Sequence, residues 1–140
     1  SDIQALRSHG FSFHSHTRAH ADLPTLDDEA LHSQLVGARE DLEALLGEPV
    51  EYLAYPYGRY NDRVLSHAQA AGYRAAFSVQ PGFNRRDADR FRLRRLDVFG
   101  TDTASMLRRK IALGSNDGSL ANSVRYKAGR VLARLGLRSG

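Results

Sequence analysis

Residues 10–23 read GFSFHSHTRAHADL, and they place three histidines, His14, His16 and His20, within seven residues. Phe11 to His16 suits an extended strand, whose period of two puts His14 and His16 on one face. His20 lies one turn or loop further on, and a bend after Thr17 could bring it back beside His16, so that two neutral imidazoles converge on one point, as a borderline cation such as Zn²⁺ requires. The 140 residues include no cysteine, so a metal here is held by His and carboxylate alone. Disulfide frameworks and cysteine nucleophiles are excluded on the same ground.

On either side of this stretch the sequence alternates between strand and helix signals. Asp2 to Ser8 reads as the tail of a helix, with Ile3 and Leu6 on one side and Gly10 as a stop. Thr25 heads a capping-box-like start with Asp27 and Asp28 in the first turn. Leu31, Leu35, Ala38, Leu42 and Leu45 then form one apolar stripe on a helix that runs to about Leu46 and stops at Gly47. Its charged residues Arg39, Glu40, Asp41 and Glu43 read as a solvated face. Glu51 to Tyr55 reads as a buried strand running into the turn Pro56-Tyr57-Gly58, after which Asn61 caps a helix from Asp62 to Ala71, closed by Gly72. Tyr73 to Val79 is a third strand, Gln80 to Phe91 a loop, and Leu93 to Val98 a fourth strand. Strand and helix alternating at this spacing is the βαβ pattern of a parallel sheet.

Beyond Gly100, Asp102 or Thr103 caps a short helix through Met106, Leu107 and Ile111. A last helix places Leu120, Val124, Ala128, Val131 and Leu135 on one face and Arg125, Lys127, Arg130, Arg134 and Arg138 on the other. Such a basic amphipathic helix suits nucleic acid, an anionic membrane surface or an acidic partner. Because only Tyr126 interleaves the charges, the sequence favours packing on its own domain, with no nucleic acid as partner.

Composition sets the outer limits. A chain of 140 residues, 41% hydrophobic and 26% charged, has the size and mix of one globular domain. Residues 1–100 carry 12 Lys and Arg against 14 Asp and Glu, whereas residues 101–140 carry 8 against 2. The basic character is therefore C-terminal. No apolar run approaches the roughly 18 residues of a membrane span, and the opening SDIQALRSHG has neither the basic start nor the apolar centre of a signal peptide. The compartment stays open.

Ser15-His16-Thr17-Arg18-Ala19-His20 is followed by Ala54-Tyr55-Pro56-Tyr57-Gly58-Arg59-Tyr60-Asn61 at the end of a strand. The two motifs, in this order, resemble those of the polysaccharide deacetylase family of carbohydrate esterases, and the similarity covers about Asp2 to Asp102. The resemblance implies that His16 and His20 are ligands of a catalytic divalent metal, Zn²⁺ first among the candidates. It implies that the Tyr57 backbone N–H helps form an oxyanion hole, with Tyr55, Pro56, Tyr57 and Gly58 at the substrate site. The implied reaction removes N-acetyl groups from an amino-sugar glycan: water activated by the metal attacks the acetyl carbonyl, and a carboxylate takes its proton.

Departures from the family pattern bear on this reading. The family's Asp-Asp pair, which supplies the general base and the third ligand, does not precede His16, so the base is absent from the chain. Asp27-Asp28, at a helix start after the histidines, cannot replace it. His14 is a candidate third ligand. Ala21 stands where Pro is usual and Ala54 where many members have Arg. No Leu-His pair offers a general acid, and Arg94 or Arg95 is a candidate to line the site.

The expected fold is α/β, a partial distorted (β/α) barrel of mainly parallel strands with C-terminal helices. Residues 1–100 would form a deacetylase-like domain missing its N-terminal strands, and residues 101–140 a helical extension packed on it. Four strands do not close a barrel, since small barrels need about eight. The open edge is therefore expected to be covered by another copy in a homo-oligomer, by a missing N-terminal segment, by the C-terminal helices or by strand exchange. The expected function is metal-dependent N-deacetylation of a polysaccharide or amino sugar by an incomplete domain. The alternative is a degenerate, non-catalytic sugar-binding or interaction module.

Overall fold

β1 (Tyr52–Ala54) and β2 (Ala75–Phe77) pair in parallel, with Leu53 opposite Ala76, in a computed structural model that describes residues 2–134. Single parallel bridges widen this layer on both sides, Ser15 to Leu53 and Phe77 to Leu93. The four stretches read as strands thus meet in one parallel layer, but only β1 and β2 form a ladder. The first is cut short for a local reason: Ser15 N donates to Tyr52 O and Ala54 N to Ser15 O, both at 3.0 Å, and Thr17 then turns into the left-handed region at φ 67°. The result is a mixed helix and sheet layer with parallel strands, and barrel closure is not part of it among the described residues.

One compact unit takes in the chain up to Val79 together with Asn84–Leu93. Leu23, Leu31, Leu35, Val50, Leu53, Tyr55, Val64, Ala68 and Ala76 are buried at its core. Burying each Leu or Val in full contributes about 1.5–3 kcal/mol. α1 (Asp2–Ser8) ends ahead of Gly10 at φ 86°, as its sequence predicts.

The helix over 28–46 is built in three pieces, α2 (Asp28–His32), a π turn (Ser33–Gly37) and α3 (Ala38–Leu46). Its cap is Asp27, whose carboxylate accepts from Ala30 N at 2.8 Å, and not Thr25. Thr25 lies in a preceding 3₁₀ turn (Leu23–Thr25), where its hydroxyl donates to Asp22 O at 2.7 Å. The π turn also corrects the apolar stripe. It takes up one residue more than an α turn, which sets later positions back by about 100°. Leu45 is thereby carried off the buried face, 45% exposed, and Leu46 takes its place at 4%.

Nor is the charged face of α3 merely solvated. Arg39 Nη1 donates to Ala71 O at 2.6 Å and its Nε to Val50 O at 3.2 Å. Glu43 accepts from Val50 N at 2.9 Å, and Asp41 receives Arg18. Arg39 and Glu43 thereby satisfy backbone groups of Val50, just ahead of β1, and of Ala71, just past Ala70. α4 (Asp62–Ala70) is capped by Asn61, which accepts from Val64 N at 2.9 Å, and buries Val64, Leu65 and Ala68. Tyr73 donates its hydroxyl to Leu35 O at 2.9 Å, and burial pushes its pKa up.

The second unit takes in Gln80–Phe83 and the chain from Arg94 onward. Thr103 caps α5 (Ala104–Leu113) by accepting from Met106 N at 3.2 Å, and Gly114 ends it at φ 61°. Lys110 is buried there, with Nζ donating to Asp102 at 2.5 Å and to Asp97 O at 3.1 Å, and lying 4.7 Å from the Phe99 ring centre. The Lys110 ammonium, with help from the Phe99 N–H, holds the Asp102 carboxyl below the usual carboxylate range. α6 (Leu120–Arg134) follows. Leu135 and Arg138, which the sequence assigns to its two faces, lie outside the described residues.

Candidate active site

Two turns, one after Ser15 and one after β1, bring the site together within the first unit. His16 Nδ1 meets the Ala54 carbonyl at 2.7 Å. A carbonyl only accepts, so Nδ1 is the donor of this bond, and in the neutral imidazole the lone pair is then on Nε2. A metal-ligating histidine is commonly held in this way through its other ring nitrogen. Thr17 then turns, its hydroxyl accepts from His20 N at 3.1 Å, and His20 itself takes φ 51°. The turn sets the two imidazoles 4.7 Å apart, centre to centre, both exposed.

The residues between the two histidines anchor this loop to the helix beside it. Arg18 grips the Asp41 carboxylate with Nε at 2.6 Å and Nη2 at 2.8 Å, and its Nη1 reaches Ser33 Oγ at 3.2 Å. Ala19 N donates to Gln34 Oε1 at 3.0 Å. Gly37, at the end of the π turn, leaves the room this needs: a Cβ there would stand 2.5 Å from the Arg18 guanidinium carbon. The same guanidinium holds the Asp41 carboxyl below its ordinary range.

β1 delivers the other half. Beyond it, Tyr55 is buried, donates its hydroxyl to Phe91 O at 3.0 Å and stacks on Tyr60 at 4.8 Å. Burial pushes its phenol well up, so that it stays neutral. Pro56 is buried as well, and the turn Pro56–Gly58 is closed by Gly58 N to Tyr55 O at 2.9 Å and Arg59 N to Pro56 O at 3.0 Å. The Tyr57 N–H is not used by this turn. Its residue sits at φ 56°, and its ring, 60% exposed, lies edge-on to His20 at 4.5 Å. His16, His20 and Tyr57 therefore form one contiguous cluster off the carboxyl end of β1, where parallel sheets commonly bind ligands.

A further pair ties the halves together. Asp22, two residues past His20, accepts from Arg59 Nη1, one residue past Gly58, while its other carboxylate oxygen is buried without a hydrogen-bond partner. Sequence reasoning missed both residues; the available signal was an acid and a base standing just beyond the two motifs. Thr17, His20 and Tyr57 are the non-glycine residues of positive φ among the described residues, and all three lie in the two turns that build the site. Such backbone costs on the order of 1–3 kcal/mol per residue and is concentrated at functional sites.

Other expected residues are placed elsewhere. His14 does not join the pair: its ring lies edge-on to Tyr52 at 4.6 Å, about 7 Å back along the extended path from His16. Among the described residues no group of three His, Asp or Glu gathers to hold a cation. Asp27 caps α2, and Asp28 pairs with Arg63 at 2.6 Å. Arg95 is exposed and belongs to the second unit. His16 and His20, side by side and open to solvent, could supply two nitrogen ligands to a divalent cation.

The polysaccharide deacetylase family profile matches residues 1–76, which include both turns. The Bacillus subtilis protein YxkH, described provisionally as a polysaccharide deacetylase, is 28% identical over 96 residues, 69% of this chain and 34% of that one. A chitin deacetylase from Pestalotiopsis sp is 34% identical over 71 residues, 51% of this chain and 24% of that one. The crystal structure of BC0361, a polysaccharide deacetylase from Bacillus cereus, superposes with a TM-score of 0.64 at 31% identity, over 71% of this chain and 32% of that one. The chain thus spans about a third of the length of the first of these relatives. With more than half of its residues matched, including the histidine loop and the Pro56-Tyr57-Gly58 turn, the chain belongs to the polysaccharide deacetylase family.

Proposed function

We propose that this chain carries part of a metal-dependent active site that removes N-acetyl groups from an amino-sugar polysaccharide. One observation carries the reading, the convergence of His16, His20 and Tyr57 at the end of β1. Family membership and the chitin deacetylase among the relatives support the substrate class. His16, through Nε2, and His20 would hold the cation, which when bound supplies Lewis-acid polarisation and lowers the pKa of water. The Tyr57 N–H is available to donate to an acetyl oxygen as it gains negative charge. The exposed Tyr57 ring offers an apolar face to a sugar ring. Tyr55 and Pro56, both buried, shape the turn that presents it.

The reaction also needs a carboxylate to take a proton from the attacking water, and among the described residues none stands with both histidines. The test is therefore acetate release from N-acetylglucosamine oligomers by the zinc-loaded chain, with and without formate as an external carboxylate. The proposal expects release that formate stimulates and that His16→Ala or His20→Ala abolishes. No acetate under either condition, with the oligomer still bound, would contradict it.

A further inference from the structure

The start of α6 presents a surface that the site does not use. Leu120 and Val124, one helical turn apart, are 70% and 68% exposed. Polar contacts hold the beginning of the helix: Asn122 N donates to Ser119 Oγ at 3.1 Å, and the Asn122 side chain donates to Asp117 O at 2.9 Å and Ser115 Oγ at 3.3 Å. Arg125 and Lys127 stand exposed beside the apolar pair. From Gly118 to Gly140 the sequence holds five Lys and Arg and no Asp or Glu.

We propose that α6 docks in the plane of an anionic lipid bilayer, with Leu120 and Val124 entering the acyl boundary and Arg125 and Lys127 meeting the headgroups. Charge and exposure together select this occupant. A second copy would set cations against cations, because no carboxylate after Asp117 answers the arginines. Nucleic acid would satisfy the cations through its phosphates but leave Leu120 and Val124 in water. A bilayer surface takes up both, as it does for interfacial helices of this composition. No described helix is long and apolar enough to cross a membrane, so the contact is with the surface.

The experiment is co-sedimentation of the full chain with vesicles of mixed phosphatidylglycerol and phosphatidylcholine, against vesicles of phosphatidylcholine alone. Binding is expected at least about tenfold tighter to the mixed vesicles, falling about fivefold for each of Arg125→Gln and Lys127→Gln. It is expected to be lost when Leu120→Asp and Val124→Asp are combined, with the melting temperature unchanged because both side chains are exposed. Equal binding to both vesicle types, or binding retained by the double variant, would overturn the proposal. So would failure to bind lipid alongside salt-sensitive binding of polyglutamate, which would assign the helix to an acidic protein. Because the chain has no cysteine, a fluorophore on Val124→Cys gives an independent reading. On mixed vesicles it should be quenched by brominated lipid and on phosphatidylcholine vesicles it should not, and an unquenched label at position 124 on mixed vesicles would again overturn the proposal.

Discussion

Gly58 carries two constraints at once. Its φ of 65° favours glycine, and a Cβ there would stand 2.4 Å from Val79 Cγ2. Gly58→Ala is therefore expected to lower stability by about 2 kcal/mol, measured by urea unfolding. A cost below about 0.5 kcal/mol would mean that the turn relaxes freely. Asp22 makes a different kind of prediction. It links the histidine loop to the Tyr57 turn through a largely exposed Arg59, so Asp22→Asn should leave the melting temperature nearly unchanged and weaken zinc binding by about tenfold or more. Calorimetry checks it, and unaltered affinity would make the pair incidental. The sequence singled out His16, His20 and Tyr57 by their motifs, and the structure sets them side by side. The sequence did not show that His14 would turn to Tyr52, because a strand's period of two says which face a residue takes and not how far along the strand its partner lies.

The helix over 28–46 was legible as an element but not in its phase. Apolar spacing assumes one hydrogen-bond pattern throughout, and the π turn at Ser33–Gly37 shifts everything after it. The consequence is measurable: Leu46→Ala should cost about 2–4 kcal/mol and Leu45→Ala about 0.5 or less. The reverse order in urea unfolding would restore the unbroken helix. The π turn also sits where Arg18 crosses to Asp41, and the loop between the histidines hangs on that grip. Arg18→Ala is expected to weaken zinc binding by about tenfold while shifting the melting temperature little, since the pair is exposed. The strands were legible as a parallel set through their spacing. Their shortness was not, because it depends on where Thr17 and Tyr57 turn the backbone left-handed, and neither is a residue type that announces such a turn.

For the molecule as a whole, the division into two units was less visible in the sequence than the charge boundary near residue 100, because Gln80–Phe83 joins the later chain in space and Asn84–Leu93 the earlier. The second unit has its own pH signature. The Asp102 pKa is lowered in the folded state by Lys110, so its stabilising effect is present above the unfolded carboxylate value of about 3.9 and is lost as pH falls through the lower folded value. Asp102→Asn should remove that part of the acid dependence, seen as a flatter melting-temperature profile below about pH 4. An unchanged profile would contradict the pairing. In the first unit a loop and a strand-end turn set His16 beside His20, and the metal-binding role proposed for them rests on that pairing. Calorimetric titration of zinc into the wild type, His16→Ala and His20→Ala tests it most directly. One zinc is expected to bind the wild type and none either variant; no binding by the wild type, or binding that survives in either variant, would contradict that role.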